Sequence, residues 1–438
     1  MVKITLRHLF ASDTIGQRER LLLLCAAAFV TLNQATLLAA RGDPALLMWP
    51  VLVWMLCAAL GHRALDRNLP MRDPFIFPLA MLLAGWGLNM VYRLAPAFAA
   101  RQVLWVAVGV AALAFVVRYP RALRLLRRYP YSWLIMGLLL LIFTLLFGVN
   151  PVGYGPRLWL DTGIAYFQPS EALKVLLVVY LARYLADHGE QLRTQYVRAG
   201  RLHLPFLAVM GPLLTMWGFS CVVLVWQQDL GTAALFFLVF LAMLYGATGQ
   251  RVYVLVGLGM LALAGVAAYF LFNVVQLRVD VWLNPWPESQ GRAYQIVQSL
   301  QAVAAGGVMG QGIGMGAPTY IPVVHSDFVF AAIAEEWGLA GALAVVICFG
   351  VLAIRGLGVA ARHTDKRPFN ALMAAGLSIT LAAQALLIMG GVLKLIPLTG
   401  VTLPFVSYGG SSLLGSFVLV GLLLLLSDTG RFARSHEI

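Results

Sequence analysis

Apolar positions in this chain gather into long continuous runs; they neither alternate nor recur on a single face. Runs of the ~20 residues that an α-helix needs to cross a bilayer lie near 20–40, 45–60, 74–92, 102–118, 131–149 and 168–186. The second half adds 204–226, 230–247, 252–272, 327–353, 370–393 and 405–427. The pattern predicts about twelve transmembrane helices and an all-α, polytopic membrane bundle. The alternation of a membrane β-barrel is absent. A polar stretch from Ser12 to Arg20 precedes the first run and no small-residue cleavage site follows it, so that run reads as a retained helix and not as a signal peptide.

Composition supports this reading and removes others. Of 438 residues, 61% are hydrophobic and 11% charged, less than half of the ~25% usual in soluble domains. The net charge of +13 raises nucleic-acid binding, but the basic residues sit in short clusters between apolar runs, without basic-aromatic interleaving, and that class is excluded. Cys25, Cys57, Cys221 and Cys348 lie inside apolar runs with no CxxC or Cys/His spacing, so they read as packing residues. Placing the N-terminus inside puts twenty-three of the 31 Lys and Arg residues on the cytoplasmic face, the distribution that fixes orientation. Both termini are therefore expected in the cytoplasm.

One outer connection, Asn273 to Ser326, is far longer than the others, and such loops in compact bundles are usually functional. It holds Trp282, Trp286, an amphipathic stretch from Tyr294 to Ala304 and a glycine-rich stretch from Gly306 to Gly316, expected as interfacial or re-entrant helices. Chemistry is expected on the outer side.

The candidate residues follow from that expectation. Among seven histidines only His325 faces outward, which leaves a metal hydrolase without ligands. His325 suits a structural hydrogen bond as well as catalysis. Asp327, in His325-Ser326-Asp327-Phe328, reads either as a carboxylate at a helix start or as a general base whose pKa is raised by partial desolvation. Gly155-Pro156-Arg157-Leu158-Trp159, followed by Gln168-Pro169-Ser170-Glu171 and Lys174, marks another outer helix start. Glu171 and Lys174 are i, i+3 neighbours that can pair inside an apolar helix, structurally or functionally. Gln227 to Thr232, with Asp229, is a polar break that a tight helical turn explains by itself. Glu335 and Glu336 lie about two turns into the helix after Asp327 and must be buried, protonated or paired. Gly310, Gly312, Gly314 and Gly316 alternate without a nucleotide-loop pattern and suit tight backbone turns. The small residues Gly409 to Ser412, after Pro404 to Tyr408, suit close helix packing.

Taken in order, Gln168-Pro169-Ser170-Glu171 with Lys174, Gln228-Asp229-Leu230-Gly231-Thr232, Tyr294-Gln295 through Gln298-Ser299-Leu300, Gly310-Gln311-Gly312-Ile313-Gly314, His325-Ser326-Asp327-Phe328 with Glu335-Glu336, and Pro404 to Ser412 resemble the SEDS family. This is the RodA/FtsW/SpoVE group of cell-shape, division and sporulation proteins. The resemblance runs from about Pro74 to Leu426. It implies a core of ten helices over residues 74–438, with the outer loop at 273–326 and residues 1–73 adding a helical pair. It also implies a glycosyltransferase that polymerises lipid II into glycan strands at the outer face of the membrane, usually with a class B penicillin-binding protein.

The family's essential acid matches Asp327, its intramembrane acid and lysine match Glu171 and Lys174, and its loop arginine matches Arg157. Trp159, Gln168, Asp229, Gln298, His325, Ser326, Lys394, Ser407 and Ser411 are the expected substrate-binding or supporting positions. The leaving undecaprenyl pyrophosphate calls for cations such as Arg157, Lys174 or Lys394, or a divalent metal such as Mg2+ or Mn2+, though no cofactor is implied with certainty. Two departures stand out. Ile321-Pro322-Val323 lacks the family's Leu-Pro-Glu acid and Ser326 replaces threonine; Gln228 replaces the proline before Asp229. The first leaves Asp327 as the better candidate for a single base. Competing readings are a lipid II flippase or carrier and a non-enzymatic transpeptidase scaffold. Against a carrier, no internal repeat is visible and the polar motifs gather at outer helix ends.

Overall fold

A computed structural model of the chain describes residues 15–150, 153, 156–163, 165–194, 196–199, 202–205, 207–364 and 366–429. Gly155, part of the opening polar stretch, Lys3, Arg7, Arg201, Arg431, Arg434, His8 and His436 lie outside the described residues. The helices are α1 (Ile15–Arg41), α2 (Trp49–Asn68), α3 (Ile76–Leu94), α4 (Ala99–Arg118), α5 (Arg121–Arg128), α6 (Pro130–Phe147), α7 (Pro169–Thr194) and α8 (Leu207–Trp226). They continue with α9 (Leu230–Thr248), α10 (Arg251–Leu271), α11 (Asn273–Leu283), α12 (Tyr294–Gly306), α13 (Val329–His363), α14 (Pro368–Val392) and α15 (Gly410–Ser427). Each expected span falls on one of these helices, and among the described residues eight candidates are long and apolar enough to cross a membrane by length and composition alone. An all-helical bundle follows from the solvent: in lipid every backbone polar group must be satisfied within its own segment. Proline occupies the first turn of α2, α6, α7 and α14, where its missing N–H costs no helical bond.

Two short antiparallel hairpins were not expected: β1 (Leu160–Asp161) pairs with β2 (Tyr166–Phe167), and β3 (Tyr196–Ala199) with β4 (Leu202–Pro205). The second corrects the run expected to start at 204, because α8 begins only at Leu207. Likewise Arg157 and Trp159 do not open a helix. Trp159 bridges to Val149 ahead of the β1–β2 hairpin, and the helix starts at Pro169.

The chain forms two compact units. The first comprises Met1–Ala122, Gln298–Gly356 and Thr402–Ile438; the second comprises Leu123–Val297 and Leu357–Val401. In the first, α15 packs along α4, α4 along α2, and α1 along α3. Its core includes Trp54, Phe77, Phe405 and Phe417, all nearly inaccessible. Close packing at the small residues of α15 is visible at Gly410, where a Cβ would run into the Trp105 ring. A buried ion pair ties α1 to the chain entering α3: Arg72 Nε and Nη2 donate to the two Glu19 oxygens at 2.7 and 2.8 Å. His62 Nδ1 lies 2.6 Å from the same carboxylate. Arg72 is thus a buried packing charge. In the second unit, α7 packs against α6, α9 and α14, and α10 leans on α9 and α11.

The glycine-rich stretch departs from expectation. Residues after α12 do not form a re-entrant helix; they turn repeatedly and dock, backbone to backbone, on a break in α13 at Gly338. Gly338 has φ +66°, a left-handed conformation that side chains rarely adopt.

Candidate active site

Asp327 lies two residues before α13 on a segment fixed from its C-terminal partner strand of chain, 402–409. Ser407 Oγ donates to the Ser326 carbonyl at 2.6 Å and accepts from Leu403 N–H at 2.9 Å. Tyr408 N–H donates to the His325 carbonyl at 2.8 Å. These bonds bring together the motifs His325 to Phe328 and Pro404 to Ser412, far apart in sequence. Ser326 Oγ donates to Asp327 Oδ1 at 2.6 Å. Asp327 itself is half-buried.

His325 packs in an aromatic box, its ring centroid 5.3 Å from Phe98 and 5.7 Å from Tyr408, with Phe98 and Tyr408 stacked at 4.7 Å. Burial pushes the His325 imidazole below its ordinary pKa, so it is neutral near pH 7. The guanidinium of Arg101 sits over the Phe98 ring at 6.0 Å. The ring that places Arg101 is not legible in the sequence. Ser411 is buried in the first turn of α15, next to Ser412, whose hydroxyl accepts from Thr402 at 2.7 Å. Gln298 is half-buried on α12.

The second unit carries its own polar cluster. Glu171, in the first turn of α7, pairs with Lys174 at 2.5 Å, and the Lys174 ammonium also donates to Gln384 Oε1 at 2.7 Å. Glu171, Lys174 and Gln384 are all buried. Removing one partner of such a pair leaves an uncompensated charge, typically worth about 3–5 kcal/mol. Asp229 caps α9, accepting from Thr232 N–H at 3.3 Å, and also accepts from Ser170 Oγ at 3.3 Å and Gln168 Nε2 at 3.5 Å. The turn at Gln227 to Thr232 is therefore a helix start with its cap, stitched to the start of α7. Gln384 was missed by the sequence reading, though a lone amide inside an apolar run was the available signal.

The remaining candidates stand on other elements. Arg157 is exposed ahead of the β1–β2 hairpin and Trp159 is half-buried there. Lys394 lies two residues beyond α14 with φ +58°, and it is its carbonyl that accepts from Trp282 Nε1, at 3.1 Å. Asp327, Gln298, His325, Ser326, Ser407 and Ser411 thus belong to the first unit, and Arg157, Trp159, Gln168, Glu171, Lys174, Asp229 and Lys394 to the second.

A profile described as cell cycle protein, covering FtsW, RodA and SpoVE, matches residues 75–431. The chain belongs to the FtsW/RodA/SpoVE family. It is 37% identical over 437 residues to the peptidoglycan glycosyltransferase RodA of Mycobacterium tuberculosis, covering 95% of this chain and 91% of that protein. Its fold is similar to that of a chain from a peptidoglycan synthase complex described for its structural coordination of polymerization and crosslinking. That match has a TM-score of 0.65 and 27% identity, over 81% of this chain and 97% of the other. The rod shape determining protein RodA of Thermus thermophilus matches with a TM-score of 0.59 and 25% identity, over 81% and 96%.

Proposed function

We propose that this chain is a peptidoglycan glycosyltransferase that polymerises lipid II at the outer face of the bacterial cytoplasmic membrane, in elongation or division. The observation that carries this reading is its likeness, along nearly the whole chain, to a relative that bears that activity in its name. Supporting it, the chain sets a half-buried carboxylate, hydrogen-bonded by Ser326, on a segment held at both Ser326 and His325.

In the proposed reaction Asp327 takes the proton from the sugar 4-hydroxyl of an incoming lipid-linked disaccharide as that oxygen attacks the anomeric carbon of the growing chain. The bond from that carbon to the pyrophosphate oxygen breaks, and undecaprenyl pyrophosphate leaves with the electron pair. A single displacement inverts the anomeric carbon. Arg157, Lys174 and Lys394 are the proposed partners of the pyrophosphate charge. Lys174 is already shared between Glu171 and Gln384, so it offers an oriented donor more than a free charge. Among the described residues no three His, Cys, Asp or Glu side chains converge, so they do not fit a resident metal ion. A Mg2+ or Mn2+ ion, where used, would be carried by the substrate phosphates.

The proposed assembly includes a class B penicillin-binding protein as crosslinking partner, both termini in the cytoplasm, and residues 1–73 as a helical pair added to the family core at 74–438. The test is to incubate the purified full chain, with and without that partner, with labelled lipid II in vesicles, scoring glycan polymer and inward–outward lipid movement separately. Polymer is expected. Lipid movement without polymer would replace this reading with a flippase, and neither product with a scaffold.

A further inference from the structure

The first helical segment of α13, Val329 to Trp337, is nine residues long and is cut from the rest of the helix at Gly338. Isolated helices of that length are not stable, so the direction in which Asp327 points depends on what grips this segment. The grip comes from the glycine-rich turns. At the break, Glu335 and Glu336 carbonyls lose their helical partners and accept instead from Gln311 and Gly312 N–H at 2.9 and 3.1 Å. In exchange, Leu339 and Ala340 N–H donate to the Gly307 and Val308 carbonyls at 2.9 and 3.4 Å. Loop and helix thus swap backbone bonds, and a Cβ at Gly310 would collide with the Glu336 carbonyl, which is why the loop carries glycine at that point.

Side chains close the same junction. Arg93, in the last turn of α3, donates from Nε to Glu336 Oε1 at 2.9 Å and from Nη2 to the Gly316 and Gly314 carbonyls at 2.8 and 3.3 Å. Glu336 Oε2 accepts from Gly314 N–H at 3.1 Å, and Glu335 Oε1 from Ala317 N–H at 2.8 Å. The Glu336 side chain is wholly inaccessible and that of Arg93 is 11% exposed. One guanidinium therefore holds a helix carboxylate and two loop carbonyls at once, which a lysine's compact ammonium does not reproduce.

We propose that the Arg93–Glu336 pair, clamped onto the turns at Gly314 and Gly316, is a positioning device for the reaction at Asp327: it fixes the short helical segment that Asp327 precedes, without touching substrate. This rests on Asp327 being the base. The device is a unit, because Arg93 reaches the loop and the helix through the same guanidinium.

The test compares the full chain with its partner as wild type, Arg93→Lys, Glu336→Gln and the double variant. Glu336→Gln keeps the shape but removes the charge and one of the two acceptors that hold Arg93 and Gly314 N–H, and unchanged amide exchange across α4 and α15 verifies folding. Displacing the base should lower kcat in each single variant by about 10- to 100-fold. KM for lipid II should stay within about twofold, since ground-state binding is not removed. The double variant should be no slower than the slower single one, and amide exchange at Gln311, Gly312, Gly314 and Ala317 should speed up in all three. Wild-type kcat in the variants, or losses that multiply in the double variant, would overturn the device and leave the glycosyltransferase reading intact. Failure of the wild-type chain itself to polymerise lipid II would instead overturn that reading, and the device with it.

Discussion

Two residues with left-handed backbone stand close to the paired segments of the site: Val323, φ +55°, two positions before His325, and Phe405, φ +66°, two before Ser407. A β-branched residue in that region is a steric outlier costing roughly 1–2 kcal/mol. Val323 is 49% exposed, so little burial offsets its strain. Val323→Gly should therefore raise stability by about 1 kcal/mol, partly opposed by the freer unfolded chain; thermal unfolding in detergent reads it, and a lowered midpoint would show that the side chain is needed there. His325 sets a pH dependence at the same scale. Above about pH 6.5 it is neutral folded or unfolded and costs nothing. As pH falls through that value the unfolded chain takes up the proton first, because burial depresses the folded pKa. Stability then drops by up to ~1.4 kcal/mol per pH unit until the folded imidazole also protonates. His325→Gln should flatten that part of the curve of unfolding midpoint against pH, and an unchanged slope would assign it to other groups.

At the scale of elements, the break in α13 is the feature on which most depends. At Gly338 any side chain would meet both a left-handed backbone and the Val308 carbonyl and Gly310 amide. Gly338→Ala should destabilise the chain by about 2 kcal/mol or more, seen as a lower unfolding midpoint together with faster exchange in the turns after α12. An alanine variant with wild-type stability would mean that the helix straightens without loss. The helices themselves were legible in the sequence because apolar runs of bilayer length leave one solution for the backbone. The break was not, since a lone glycine in Trp337-Gly338-Leu339 is ordinary in a membrane helix and the bonds that replace the helical ones come from turns some thirty positions earlier. The alternating glycines announced tight turns but not their partner. In the same way Glu335 and Glu336 could be recognised as buried and needing partners, while Arg93, which pairs with Glu336, is 243 positions away. Gln384 on α14, facing Lys174 from 210 positions away, is a further long-range pairing of this kind.

For the whole molecule, the charge balance has two uses. The basic excess of +13 is the signal expected to set orientation, yet the buried pair of Arg72 with Glu19 and the partly exposed pair of Arg355 with the buried Asp73 are structural ties. The residues proposed for chemistry are sparse by comparison and centre on one carboxylate. The central claim is that Asp327 is the base in glycan polymerisation, and the most direct measurement is the rate of polymer formation from labelled lipid II by the full chain and its partner, wild type against Asp327→Asn. Asparagine keeps the size and the hydrogen bond from Ser326 but cannot take the proton, so the rate should fall by at least about 100-fold with the protein still folded in membranes. A variant that polymerises at the wild-type rate would contradict the account.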